Sequence, residues 1–178
     1  EVIDATGKLI FPGVVDPHLH IGLGNGLQDW DSETRSATIG GVTSGYTYLM
    51  SGQSYFSVIE ENLAAAQKLS HIDFGWHLVP SAPVHLEEME EYHRRFGINS
   101  FKYFTSFRGE EGAHLQIQGT DDSYMYRYFT EVMELGDAVA CVHPENIEVV
   151  WERRRQLQEA GRDDLKAWDE SRPQVVEA

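Results

Sequence analysis

The sequence predicts an α/β chain: a parallel sheet with a helix after each strand, amounting to about five βα units of a (β/α)8 barrel of the TIM type. Three observations predict it. Apolar, β-branched stretches begin near residues 14, 42, 72, 98 and 138, and each is followed by a run with helical periodicity. The spacings of 28, 30, 26 and 40 residues suit a strand, a crossover helix and a return, which calls for parallel strands with right-handed crossovers. No Gly-x-Gly-x-x-Gly turn follows any of them, which favours a barrel over a dinucleotide-binding sheet. A whole barrel takes about 250 residues, so 178 residues hold roughly five of its eight units.

Taken in order, residues 1–10 read as strand, turn at Thr6-Gly7, strand. The first barrel strand ends near His20, and a glycine-rich loop from Ile21 to Gly26 leads to a helix over 32–39 that Gly40-Gly41 stops. The second strand spans 42–50. A helix over 55–69 carries Val58, Leu63, Ala66 and Leu69 at near-helical spacing. The third strand spans 72–79 and Pro80 stops it; the next helix runs 85–96 and ends at Gly97. The fourth strand spans 98–104, and a long polar loop fills 105–119. Thr120-Asp121-Asp122 caps a helix to Leu135, which Gly136 closes. The fifth strand spans 138–143. Pro144 suits the first turn of a helix to about Ala160, and the tail holds a short helical piece before Ser171-Arg172-Pro173.

Fourteen basic against 29 acidic residues leave a net charge of −15, which argues against nucleic acid and anionic membrane surfaces as partners. Runs such as Glu87-Glu88-Met89-Glu90-Glu91 read as solvated helix faces. Cys141 is the one cysteine, so no internal disulfide forms and a reducing cytoplasm fits best. No apolar run approaches the ~18 residues of a membrane span, and no signal-peptide pattern opens the chain. The chain begins with Glu and reads as a piece cut at both ends from something longer.

In a parallel barrel the chemistry lies at the C-terminal ends of the strands. Polar residues there are therefore the ones to weigh. His18 and His20 end the first strand, and strand alternation places them on one face with Asp16. Two imidazoles so spaced can share a divalent cation such as zinc, although a pair of ordinary strand histidines is the plainer reading. Lys102 lies inside the fourth strand between Phe101 and Tyr103. It either snorkels to the rim or pairs with Asp16, or it is a buried amine with a lowered pKa, able to add carbon dioxide and become a carbamate. His143 ends the fifth strand. His77 reads as a hydrogen-bonded core histidine, and His71, His85, His93 and His114 as exposed. Cys141 shares the face of His143 and reads as a small packing residue. Tyr124, Met125, Tyr126, Tyr128, Phe129 and Met133 read as helix packing, and Glu145 and Asn146 as helix caps or as groups orienting His143.

Five pieces resemble, in order, the amidohydrolase superfamily, and within it the dihydropyrimidinase/hydantoinase, allantoinase and dihydroorotase branch of cyclic amidases. They are the stretch from Gly7 to His20 (Gly-Lys-Leu-Ile-Phe-Pro-Gly-Val-Val-Asp-Pro-His-Leu-His), Gly40-Gly41-Val42-Thr43, Ser100-Phe101-Lys102, Val142-His143-Pro144-Glu145-Asn146, and Glu170-Ser171-Arg172-Pro173. The resemblance implies that residues 1–10 end a small β-sandwich domain and that 11–178 are a partial metal-dependent hydrolase barrel. It implies two divalent metal ions, zinc the first expectation. His18 and His20 would bind the more buried ion, Lys102 as N6-carboxylysine would bridge both, and His143 would bind the second. The pair would hold a hydroxide that attacks the amide carbon of a small cyclic substrate of dihydropyrimidine or hydantoin type. Asp16 would orient a ligand histidine. Phe107 stands where hydantoinases carry a tyrosine that polarises the substrate carbonyl; Arg108 beside it reads first as a surface loop arginine, and otherwise as a contact for an acidic substrate group, as dihydroorotase chemistry needs. The family's further histidine and its general-base aspartate come from the sixth and eighth strands, beyond these residues, so this piece alone is expected to be inactive. A homo-oligomer, dimer or tetramer, is expected. The alternatives are dihydroorotase or allantoinase chemistry on the same fold, a non-catalytic dihydropyrimidinase-like scaffold protein, and an inert fragment.

Overall fold

The computed structural model describes residues 2–113, 117 and 119–177; His114 lies outside them. Its five strands are β1 (Val14–Leu19), β2 (Val42–Leu49), β3 (Asp73–Leu78), β4 (Ser100–Phe104) and β5 (Val139–His143). They form one sheet in the order β1-β2-β3-β4-β5, and the registered pairs are parallel. Strand order equal to chain order, with helices between, is the right-handed βα succession of a barrel wall. Among the described residues the α-helices are α1 (Asp29–Ile39), α2 (Ile59–Leu69), α3 (Pro83–Glu87), α4 (Met89–Phe96), α5 (Glu110–Ala113), α6 (Asp122–Leu135), α7 (Ile147–Glu159) and α8 (Leu165–Glu170). The chain divides into two compact units, Glu1–Tyr48 with Val58–Trp76, and Leu49–Ser57 with His77–Ala178.

The first unit is held by an aromatic cluster. Trp30 of α1 is buried and meets Phe74 and Trp76 of β3 at ring separations of 5.1 and 5.9 Å. Thr34, also buried, hydrogen-bonds Trp30 O and accepts from the His71 amide. Helix α1 begins at Asp29, three residues earlier than expected. The reason is the Asp29 carboxylate, which turns back to accept from the amides of Gly22, Gly24 and Asn25 at 2.9–3.1 Å. These bonds hold its pKa below the usual carboxylate value and tie the glycine-rich loop to the helix start. Residues 2–13 form the expected turn at Thr6-Gly7 but no strand.

The second unit packs α6 against β4 and β5. Tyr128 is fully buried and donates to Phe101 O at 2.9 Å, and its ring stacks on Tyr103 at 5.4 Å. Tyr124 donates to Ala82 O at 2.9 Å. Of the α6 residues read as packing, Tyr124 and Tyr128 are, whereas Tyr126, Phe129 and Met133 face solvent.

The helix expected over 85–96 is two. Helix α3 starts at Pro83, and the chain leaves helical geometry at Glu88 before α4. His85, which the sequence presents as an exposed residue, sets the early start instead. It is buried, and its Nδ1 accepts from the amides of Ser81 and Ala82 at 3.0 and 3.1 Å while Nε2 donates to Gln53 O at 2.7 Å. His93 is half-buried between Ile98 O and Asp137; His71 is exposed and pairs with Asp31. Pro144 lies outside α7, not in its first turn. Asn146 is the cap, its side-chain oxygen accepting from Glu148 and Val149 amides.

Candidate metal centre

In the first unit the register of β1 on β2 slips. Asp16 pairs with Gly45 and Leu19 with Thr47, so three residues of β1 span two of β2. The bulge falls at Pro17 and His18, where a proline has no amide to give the ladder. Strict alternation therefore does not carry from Asp16 to His20. The histidines converge nonetheless. Their rings lie 5.2 Å apart and both flank Tyr48, at 4.7 Å for His18 and 5.1 Å for His20. Asp16 accepts from the His18 amide at 3.0 Å, so it shapes the backbone of that histidine. Nothing in the sequence singled out Tyr48.

In the second unit β4 and β5 run in clean register. Lys102 is abreast of Cys141, and Phe104 of His143. Alternation places Ser100, Lys102 and Phe104 on one face with Cys141 and His143. Tyr103 points the other way, into α6. Lys102 is buried, only 7% exposed, with its Nζ 5.2 Å over the Phe104 ring. Burial lowers its pKa, so the neutral amine is closer at hand than in an ordinary lysine. It does not snorkel out. Beneath it, His77 Nδ1 hydrogen-bonds Ser100 Oγ at 2.6 Å, and Ser100 Oγ is 3.7 Å from Cys141 Sγ. His77 is thus the bonded core histidine expected; Cys141 is only half-buried.

Phe107 packs on Phe104 at 4.7 Å, and Phe104 on His143 at 5.8 Å. The Phe107 ring therefore belongs to the His143 neighbourhood but brings no hydroxyl. Arg108 pairs with Asp122 at 3.1 Å and Glu148 at 3.5 Å, pinning the loop to the starts of α6 and α7. Nη2 faces Asp122 and Nη1 faces Glu148, while Nε is buried without a hydrogen-bond partner among the described residues.

Two imidazoles side by side suit a soft divalent ion. A buried lysine on the same face as a histidine suits a ligand only once it carries a carboxylate. Among the described residues, no three His, Cys, Asp or Glu side chains stand ready to hold a metal ion together.

A D-hydantoinase from Geobacillus stearothermophilus is 34% identical over 158 residues, covering 84% of this chain and 32% of that protein. An allantoinase from Rubrobacter xylanophilus is 31% identical over 188 residues, 99% of this chain and 38% of that protein. The crystal structure of dihydropyrimidinase from Brevibacillus agri superposes with a TM-score of 0.82 at 32% identity, over 99% of this chain and 38% of the other. The chain is homologous to the cyclic amidases of the amidohydrolase superfamily. It spans about a third of the length of these relatives. No family model matches it. The cyclic-amidase architecture accounts for the five-strand parallel wall as part of a (β/α)8 barrel. No helix among the described residues is long and apolar enough to cross a membrane.

Proposed function

We propose that this chain carries the first ligands of a metal-dependent hydrolase of cyclic amides, opening a dihydropyrimidine- or hydantoin-type ring at a C–N bond. The observation that carries the reading is Lys102, a lysine buried on the ligand face of a strand beside His143, in a chain homologous to cyclic amidases. His18, His20, Lys102 and His143 are the proposed ligands. The neutral Lys102 amine attacks carbon dioxide, loses a proton, and becomes an anionic carbamate with two donor oxygens. Burial favours the uncharged amine as the starting form. Two divalent ions, zinc the first choice, supply Lewis-acid polarisation of the amide carbonyl and an activated water when bound. Asp16 holds the backbone of His18, and Tyr48 buttresses both imidazole rings. Phe107 offers the substrate an apolar wall in place of a hydrogen bond. The small-ring substrate, a homo-oligomeric state and residence in a reducing cytoplasm belong to this proposal, with dihydroorotase or allantoinase chemistry on the same fold as the second reading.

The purified chain, given zinc and 13C-bicarbonate, is expected to bind divalent ions and to show a carbamate carbonyl resonance. Lys102→Ala is expected to lose that resonance and at least one bound ion by elemental analysis. Unchanged metal content and no carbamate signal in the parent chain would overturn the ligand assignment.

A further inference from the structure

The Glu170-Ser171-Arg172-Pro173 piece has no part in the ligand set, yet it reaches His143. Arg172 Nε lies 2.9 Å from Glu145 Oε1, and Glu145 Oε2 lies 3.4 Å from His143 Nε2. The Glu145 side chain is 14% exposed and Arg172 22%, so the pair is shielded from bulk water. Arg172 is itself fixed: its guanidinium lies 4.1 Å over the Trp168 ring, and Nη1 donates to Ser171 Oγ at 2.9 Å. The backbone around the histidine is pinned from two sides. Thr105 Oγ1 is 3.0 Å from His143 O and 2.8 Å from Glu145 O, and the Asn146 amide donates to Val176 O at 2.7 Å. Val176 packs with Ile147 and Val150 in a small apolar cluster. The segment after α8 is thus built onto the loop that follows β5.

We propose that Arg172 and Glu145 are positioning residues for His143. The carboxylate, oriented by the guanidinium, accepts from Nε2–H, and the imidazole is held in the tautomer that leaves the Nδ1 lone pair for a metal ion. A ligand histidine commonly gives its other ring N–H to a carboxylate, which sets both tautomer and ring angle. The inference rests on the reading of His143 as a ligand, but its test does not require metal.

The test is a long-range 1H–15N correlation on the metal-free, 15N-histidine-labelled chain at about pH 8, where an ordinary imidazole is neutral. His143 is assigned from the signals missing in His143→Asn. The parent chain is expected to show His143 as the Nε2–H form. Glu145→Ala and Arg172→Met are expected to lower the ratio of Nε2–H to Nδ1–H at least threefold while far-UV circular dichroism is unchanged. Arg172→Lys is expected to retain most of the ratio, as a positioning role predicts. Should Glu145→Ala unfold, Glu145→Gln, which keeps the volume and weakens the acceptor, is read instead, with a smaller shift in the same direction. An Nδ1–H form in the parent, or a ratio indifferent to all folded variants, would overturn the proposal. Zinc binding by the parent, measured separately, reports on the ligand reading: binding with an unmoved tautomer ratio sinks only the positioning role, and a moved ratio without binding sinks only the ligand role.

Discussion

At the scale of single residues, burial separates side chains that look alike in the sequence. His71 follows a helical run and His85 lies in the first turns of one, yet one is exposed and the other is nearly inaccessible. The neutral His85 ring accepts two amides at Nδ1, so a second proton would have no place, and desolvation lowers its pKa. Between the folded value and the ordinary 6.5, the unfolded chain binds the proton and the folded chain does not. The stability His85 contributes is therefore complete above pH 6.5 and is lost as pH falls through the lower folded value. Urea unfolding is expected to show a midpoint that declines below that pH. His85→Ala, which removes three hydrogen bonds, is expected to cost about 2 kcal/mol at neutral pH and to flatten the decline. An equally steep pH profile in the variant would locate the titration elsewhere.

At the scale of elements, one glycine decides how β1 and β2 meet. A Cβ on Gly45 would overlap Leu19 Cδ1 and stand 3.1 Å from Ile72 Cδ1, so the absent side chain lets two apolar neighbours close over the strand. Gly45→Ala is expected to destabilise the first unit by about 1–3 kcal/mol in denaturant titration, because the Leu19 side chain has to leave its place to clear the new methyl group. Leu19 lies between His18 and His20, so zinc affinity should fall as well. Much of the element order was legible beforehand, because strand runs and helix caps are local: Asp121 caps α6 as read, accepting from the Tyr124 amide at 2.9 Å. The break at Glu88 and the shift of the α7 start from Pro144 to Asn146 were not, since each depends on where a side chain turns: His85 onto two amides, Asn146 onto two others.

At the scale of the whole molecule, apolar exposure and charge oppose each other. Phe11, Val14 and Val15 in and before β1 are more than half exposed, and in the strand order β1 pairs only with β2 among the described residues. An open strand edge with apolar side chains invites pairing with another chain. A net charge of −15 resists it through long-range repulsion. Raising salt shortens the screening length from about 30 Å at 0.01 M to about 8 Å at 0.15 M. Sedimentation velocity is therefore expected to show association that increases with salt and with protein concentration, and Val15→Lys is expected to reduce it. A sedimentation coefficient independent of salt would count against an edge-driven contact.

From the sequence alone came the alternation of strand and helix, the family resemblance and the proposed ligand residues, because periodicity and motif are properties of the covalent order. Only the tertiary structure decided that Lys102 lies buried abreast of Cys141 on the face of His143, that a bulge at Pro17 interrupts the alternation of β1, and that Arg172 reaches Glu145. Those facts depend on register and burial, which arise when segments far apart in the chain exclude water from one another, and no local pattern encodes them.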